Sequence, residues 1–141
     1  MNMIIIDATD IVLGRLATTA AKNALLGEEV RVINAGKAIV TGTKSGVMDK
    51  YRTASKRGTP SKGPFQPRTP ERFVKRTIRG MLPYKQAKGL AALRRIRCFK
   101  DAPKEYEGKE RLDLEKHSTK KLRTLSFGTV EKICKELGGN L

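Results

Sequence analysis

Two β-branched runs separated by one helical period constrain this chain more than any other feature. Met3-Ile4-Ile5-Ile6 ends at Asp7, Val30-Arg31-Val32-Ile33 ends at Asn34, and both read as buried strands. Between them Leu13, Leu16, Ala17, Ala20, Ala21, Ala24 and Leu25 recur at helical spacing, with Thr9 or Asp10 available as N-cap and Gly27 as a stop. A helical connection returns the chain in its original direction, so the pattern predicts two parallel neighbouring strands with a right-handed crossover.

The remaining elements extend the alternation. Ala38 to Thr41 reads as a short third strand, and Thr43 to Ser55 as a polar helix with Val47, Met48 and Tyr51 on one side, weakened by Gly46. Arg57 to Pro70 holds Gly58, Pro60, Gly63, Pro64, Pro67 and Pro70 among Arg57, Lys62 and Arg68, a composition that makes a basic loop and no regular element. Thr69-Pro70-Glu71 opens a helix predicted to run to about Leu82, because a capping residue, a proline at the first position and an early acid all favour initiation. Tyr84 to Arg95 reads as helical in part and Ile96 to Phe99 as a strand. Ser126 is placed to cap a last helix with Phe127, Val130, Ile133, Cys134 and Leu137 on its apolar face and Gly138-Gly139 at its end. Strands alternating with helices over 141 residues indicate one α/β domain with a small, mainly parallel sheet, large enough to bury on the order of 68% of its unfolded surface.

Charge is placed rather than spread. Of the formal +16, about +15 lies between Lys44 and Lys100, where 17 Lys or Arg face only Asp49 and Glu71. Clustered like charges repel one another in the free protein, and a dense polyanion relieves that repulsion while releasing its own counterions. A nucleic acid is therefore the first expected partner. No apolar run approaches the roughly 20 residues that cross a bilayer, and the start of the chain lacks a secretory pattern, so the expected location is the cytoplasm, with no membrane partner. Cys98 and Cys134 read as reduced packing thiols and not as metal ligands.

The sharpest functional pattern lies on the helix beginning at Glu71. Arg72, Lys75, Arg76 and Arg79 fall at i, i+3, i+4 and i+7, one narrow arc, while Phe73, Val74, Thr77, Ile78 and Met81 occupy the rest. Solvated helix faces interleave acids that pair with such cations, and here only Glu71 is available. The arc and the neighbouring loop therefore read as a phosphate-binding face. The candidate RNA contacts across the segment 44–100 are Lys44, Arg57, Lys62, Arg68, Arg72, Lys75, Arg76, Arg79, Lys85, Lys88, Arg94 and Arg95. With aromatics at 5%, and only Tyr51, Phe65 and Tyr84 near the charge, recognition of folded RNA by backbone and shape is favoured over base stacking.

Enzyme motifs are weak by comparison. Asn34-Ala35-Gly36-Lys37 and Gly42-Thr43-Lys44-Ser45 miss the spacing of a phosphate loop, and no dinucleotide fingerprint follows the first strand. His117 is the one histidine, beside Ser118 and near Asp113, without a nucleophile elbow. Asp7 and Asp10 are better explained as capping residues than as a catalytic pair. No cofactor and no small-molecule substrate are expected. The alternatives to a structural RNA-binding protein are an RNA-modifying enzyme with a basic substrate face and a general nucleic-acid-compacting protein.

Gly14-Arg15-Leu16-Ala17, Val32-Ile33-Asn34-Ala35, Arg79-Gly80-Met81-Leu82-Pro83 and the stretch from Leu93 to Pro103 resemble, in that order, large-subunit ribosomal protein L13, and the basic insert resembles its archaeal and eukaryotic branch. The resemblance spans about Met3 to Gly138. It implies a three-layer α/β/α fold around a small, mainly parallel four-stranded sheet. It also implies a non-catalytic protein that binds large-subunit rRNA beside neighbouring ribosomal proteins, during assembly and in the mature ribosome.

Overall fold

The computed structural model describes residues 2–139. The chain opens with β1 (Met3–Asp7), α1 (Leu13–Leu25) and β2 (Glu29–Ile33), the strand, helix and strand expected of it. There follow β3 (Ile39–Thr41), α2 (Lys44–Lys56), α3 (Pro70–Gly80), α4 (Ala87–Arg94), β4 (Ile96–Cys98), β5 (Phe127–Thr129) and α5 (Val130–Glu136). β2 lies at the centre of a parallel sheet, with β1 on one side and β4 on the other. The register sets Ile4, Val30 and Ile96 in one row and Ile6, Val32 and Cys98 in the next, so the β-branched residues stack across the strands.

That face of the sheet carries the main core. α1 buries Leu13, Leu16, Ala17, Ala20, Ala21 and Ala24 against it, and α3 adds Phe73, Val74 and Ile78. Alanines on the buried stripe let α1 approach both the sheet and α3 closely, while Ile6, Leu16 and Ile78, fully buried, each stabilise the fold by about 1.5–3 kcal/mol.

The single four-stranded sheet of three α/β/α layers is corrected in two places. β3 leaves the parallel sheet and pairs antiparallel with β5, Ile39 opposite Thr129 and Thr41 opposite Phe127. The cause is local. Asn34 adopts φ 55°, a 3-10 turn follows at Ala35–Lys37, and the Ile39 N–H donates to the Ile11 carbonyl at 3.0 Å, which turns the chain out of the sheet. On the sheet's other face, Ile5 and Ile33 are covered by Phe99, Ala102 and Tyr106, and within residues 99–106 the chain forms a 3-10 turn at Lys104–Tyr106 and no helix layer. The rings of Phe99 and Tyr106 lie 5.6 Å apart there.

Helix starts also differ from expectation. The N-cap position of α1 is Val12, with no side-chain cap; its N–H donates to the His117 carbonyl at 3.1 Å, and Thr9 instead donates through its backbone N–H and hydroxyl to Asp7. α5 is capped by Thr129 and not by Ser126, because Phe127 belongs to β5. α2 forms as predicted, with the Thr43 hydroxyl accepting the Gly46 N–H at 3.2 Å. Among the described residues, no helix is long and apolar enough to cross a membrane.

Candidate nucleic-acid interface

Packing of α3 decides which of its side chains reach solvent. Phe73, Val74 and Ile78 are buried, which turns the opposite arc outward with Arg72 and Arg79 exposed and Lys75 and Arg76 half-buried. The loop beside it is built rather than loose. Thr59 and Gly63 exchange two N–H···O=C bonds of 3.1 and 3.0 Å, and the Lys62 N–H donates to the Thr59 hydroxyl at 3.2 Å. Gly58 sits at φ +83°, where a Cβ would stand 1.8 Å from the Gly63 carbonyl oxygen, so the turn admits only glycine there. Arg76 then fastens the loop to the helix, donating through Nη1 to the Phe65 carbonyl at 2.6 Å and to Gln66 Oε1 at 3.4 Å.

Two open grooves result, one on each side of Phe65. The first, about 500 Å³, runs between the loop and α3 and is lined by Arg72, Lys75, Arg76, Arg79, Phe65 and Leu93. The second, also about 500 Å³, runs between the loop and the end of α2, with Lys56, Arg57 and Arg68 along it. The ion pairs among the described residues involve Arg31, Arg52, Arg111 and Lys135, and none involves a cation of either groove. The positive charge of this face is left uncompensated by the protein.

The twelve candidates of the sequence divide accordingly. Arg57, Arg68, Arg72, Lys75, Arg76 and Arg79 come together around the two grooves. Lys62 is exposed at the loop tip, Lys44 begins α2, and Lys85, Lys88 and Arg94 are exposed around α4; these line neither groove. Arg95 turns inward, donating through Nη1 to the Ala24 carbonyl at 3.0 Å and so holding the last turn of α1. Lys56 and Phe65 also belong to the face, beyond those twelve. The signal for Phe65 is an aromatic among prolines and cations with no apolar neighbour to bury it.

The residues of the weaker motifs have other work. Ala35–Lys37 is the 3-10 turn and Thr43 the cap of α2. His117 and Ser118 hold the start of α1, through the His117 carbonyl and a bridge from Ser118 to Ile11. Asp7 collects the Thr9 N–H and hydroxyl, Asn34 Nδ2 and Arg111 Nη1; burial pushes its carboxyl up, but these donors outweigh it and hold the group below its ordinary value. Burial raises both thiols, Cys98 to about 12 and Cys134 to about 11, so both stay protonated at neutral pH, as expected of packing cysteines.

Fold and surface together define an α/β protein that presents a fixed, cation-lined face. A family model described as ribosomal protein L13 matches residues 1–105. The chain is 38% identical over 136 residues to large ribosomal subunit protein uL13 of Methanococcoides burtonii, covering 96% of this chain and 98% of that one. It is 42% identical over 135 residues to uL13 of Archaeoglobus fulgidus, covering 95% and 86%. Over 138 residues it is 39% identical to uL13 of Halobacterium salinarum, covering 98% and 92%. The chain belongs to the ribosomal protein L13 family.

Proposed function

We propose that this chain is a structural, non-catalytic component of the large ribosomal subunit, in the cytoplasm, acting as a single domain that binds large-subunit rRNA beside neighbouring ribosomal proteins. The membership just established supports the ribosomal role, and one observation carries the mechanism: the cations of α3 and of the Arg57–Pro70 loop line adjoining grooves with no carboxylate paired to any of them. Arg72, Lys75 and Arg79 neutralise phosphates of one RNA segment and Lys56, Arg57 and Arg68 those of another. Segments that repel each other in free RNA are thereby held together during assembly and afterwards. Lys44, Lys62, Lys85, Lys88 and Arg94 widen the contact as a peripheral field.

Binding of the purified protein to large-subunit rRNA, titrated from low to moderate salt, tests this. Each neutralised phosphate contributes about 0.7–0.9 to the log-log slope, so six or more contacts give a slope beyond about −4. A slope near zero would sink the electrostatic mechanism.

A further inference from the structure

Phe65 is the one aromatic of the basic segment whose ring is left open. Tyr51 meets the buried Phe73 edge-on at 5.1 Å, and Tyr84 lies beneath the Arg79 guanidinium at 4.9 Å. The aromatic and cation–π pairs among the described residues do not include Phe65, which is 67% exposed. An exposed ring on a slack loop would fold back onto apolar surface. This ring is held out: its own carbonyl is bound by Arg76 at 2.6 Å, the preceding turn is closed by the Thr59–Gly63 pair, and a Cβ at Gly63 would stand 3.1 Å from the ring, so the glycine backbone supports its edge. Phe65 also lines both grooves and separates the cations of one from those of the other.

We propose that Phe65 is a stacking platform for a single unpaired nucleobase of the bound RNA, with the flanking phosphates seated on Arg72 and Arg79 on one side and on Arg57 and Arg68 on the other. The proposal deepens the rRNA-binding reading and rests on it. Three features favour an unpaired base over a paired one. A base pair inside a helix has its faces covered by neighbours, whereas an extruded base offers a free π-face to an aromatic ring. The phosphates on either side of an extruded base diverge, and Phe65 borders two cation-lined grooves, one available to each. A fixed ring loses little freedom on stacking, which keeps the contact strong. One stacked base adds local specificity to a face that otherwise reads phosphates and shape.

The chain contains no tryptophan, so Phe65→Trp creates a single reporter at the ring position. Three proteins, wild type, Phe65→Ala and Phe65→Trp, are titrated with deproteinised archaeal large-subunit rRNA and, separately, with a fully paired RNA duplex. Loss of one base–aromatic stack weakens Phe65→Ala binding to the rRNA by about 5- to 150-fold, leaves its salt slope unchanged and leaves its duplex binding equal to wild type. The Phe65→Trp protein binds the rRNA as wild type does, and its emission is quenched on rRNA but not on duplex. Equal rRNA binding by wild type and Phe65→Ala, or unquenched emission from bound Phe65→Trp, overturns the stacking proposal while the rRNA reading stands. Failure of the wild type itself to bind the rRNA overturns both. Were Phe65→Ala to unfold, the Phe65→Trp emission alone would decide.

Discussion

Arg76 reaches out of the second turn of α3 and binds, through Nη1, the main-chain carbonyl of Phe65 at 2.6 Å. A cation that the helical period places on the outward arc is thus directed partly at its own protein. The bond couples the two halves of the basic face, so loop and helix approach RNA as one surface. Arg72 and Arg79, both exposed, are the cations of that arc most open to phosphate.

Loop order is expected to depend on that bond. Trypsin should cut free wild-type protein first at Arg57, Lys62 or Arg68, and Arg76→Gln, which keeps the aliphatic stem but shortens the donor, should quicken that cleavage several-fold while Tm changes little. Bound rRNA should protect both proteins. Identical cleavage rates for wild type and Arg76→Gln in the free state would show that the Phe65 carbonyl bond does not hold the loop.

Arg72 and Arg79 offer the cleanest test of the helix as an RNA face. Changing both to Gln should weaken rRNA binding by on the order of 1–3 kcal/mol and reduce the log-log salt slope by about 1.5, the share of two phosphate contacts. Stability should move by no more than about 1 kcal/mol, since only the contact of Arg79 with the Tyr84 ring is lost. The same pair of changes at Lys132 and Lys135, exposed on α5, should leave affinity nearly unchanged. Equal losses in the two double variants would mean that overall charge, and not this face, governs binding.

What the sequence made legible follows from how many residues carry each signal. The β1–α1–β2 unit repeats its apolar period often enough to predict its buried positions, except at the ends, where Met3 and Leu25 are exposed because no element covers them. β5 has only Phe127, Gly128 and Thr129, too few for any period, and its partner β3 is far away in the chain, so Phe127 passes for the first apolar residue of a helix. The cover over Ile5 and Ile33 is not legible, because Phe99 reads as the end of a strand, whereas β4 stops at Cys98, and Ala102 and Tyr106 follow at neither helical nor strand spacing. The cationic arc was readable, since charge and helical spacing are both properties of side chains. The inward turns of Arg76 and Arg95 were not, because their acceptors are main-chain carbonyls, which every residue has.

Acid should weaken the fold through Asp7. Its carboxyl is held below the ordinary 3.8 because the donors from Thr9, Asn34 and Arg111 outweigh the opposing effect of burial. A folded-state value below the unfolded one gives stability that is fully present above about pH 4 and disappears as pH falls through the lowered value. Asp7→Asn should therefore cost about 1–3 kcal/mol in urea unfolding at pH 7, and the gap from wild type should shrink toward pH 2. A gap that is the same at both pH values would show that the charge of Asp7 is not what the site stabilises.

Two helical glycines should respond in opposite directions to the same added methyl group. Gly89, buried in α4, lies against the turn that ends the Leu82-Pro83 segment; a Cβ there would stand 2.0 Å from the Pro83 carbonyl oxygen and 2.9 Å from the Tyr84 nitrogen. Both obstacles are backbone, so neither can rotate aside, and α4 would have to move off the turn. Gly89→Ala is expected to lower stability by about 1–3 kcal/mol. Gly14, inside α1, has nothing within 4 Å of the position a Cβ would take. Gly14→Ala there restricts the unfolded chain and favours the helix, raising stability by about 0.4–1 kcal/mol. Chemical denaturation of the two variants beside wild type checks both signs at once. A stable Gly89→Ala protein would mean that the close approach of α4 to Pro83 is not required by the fold.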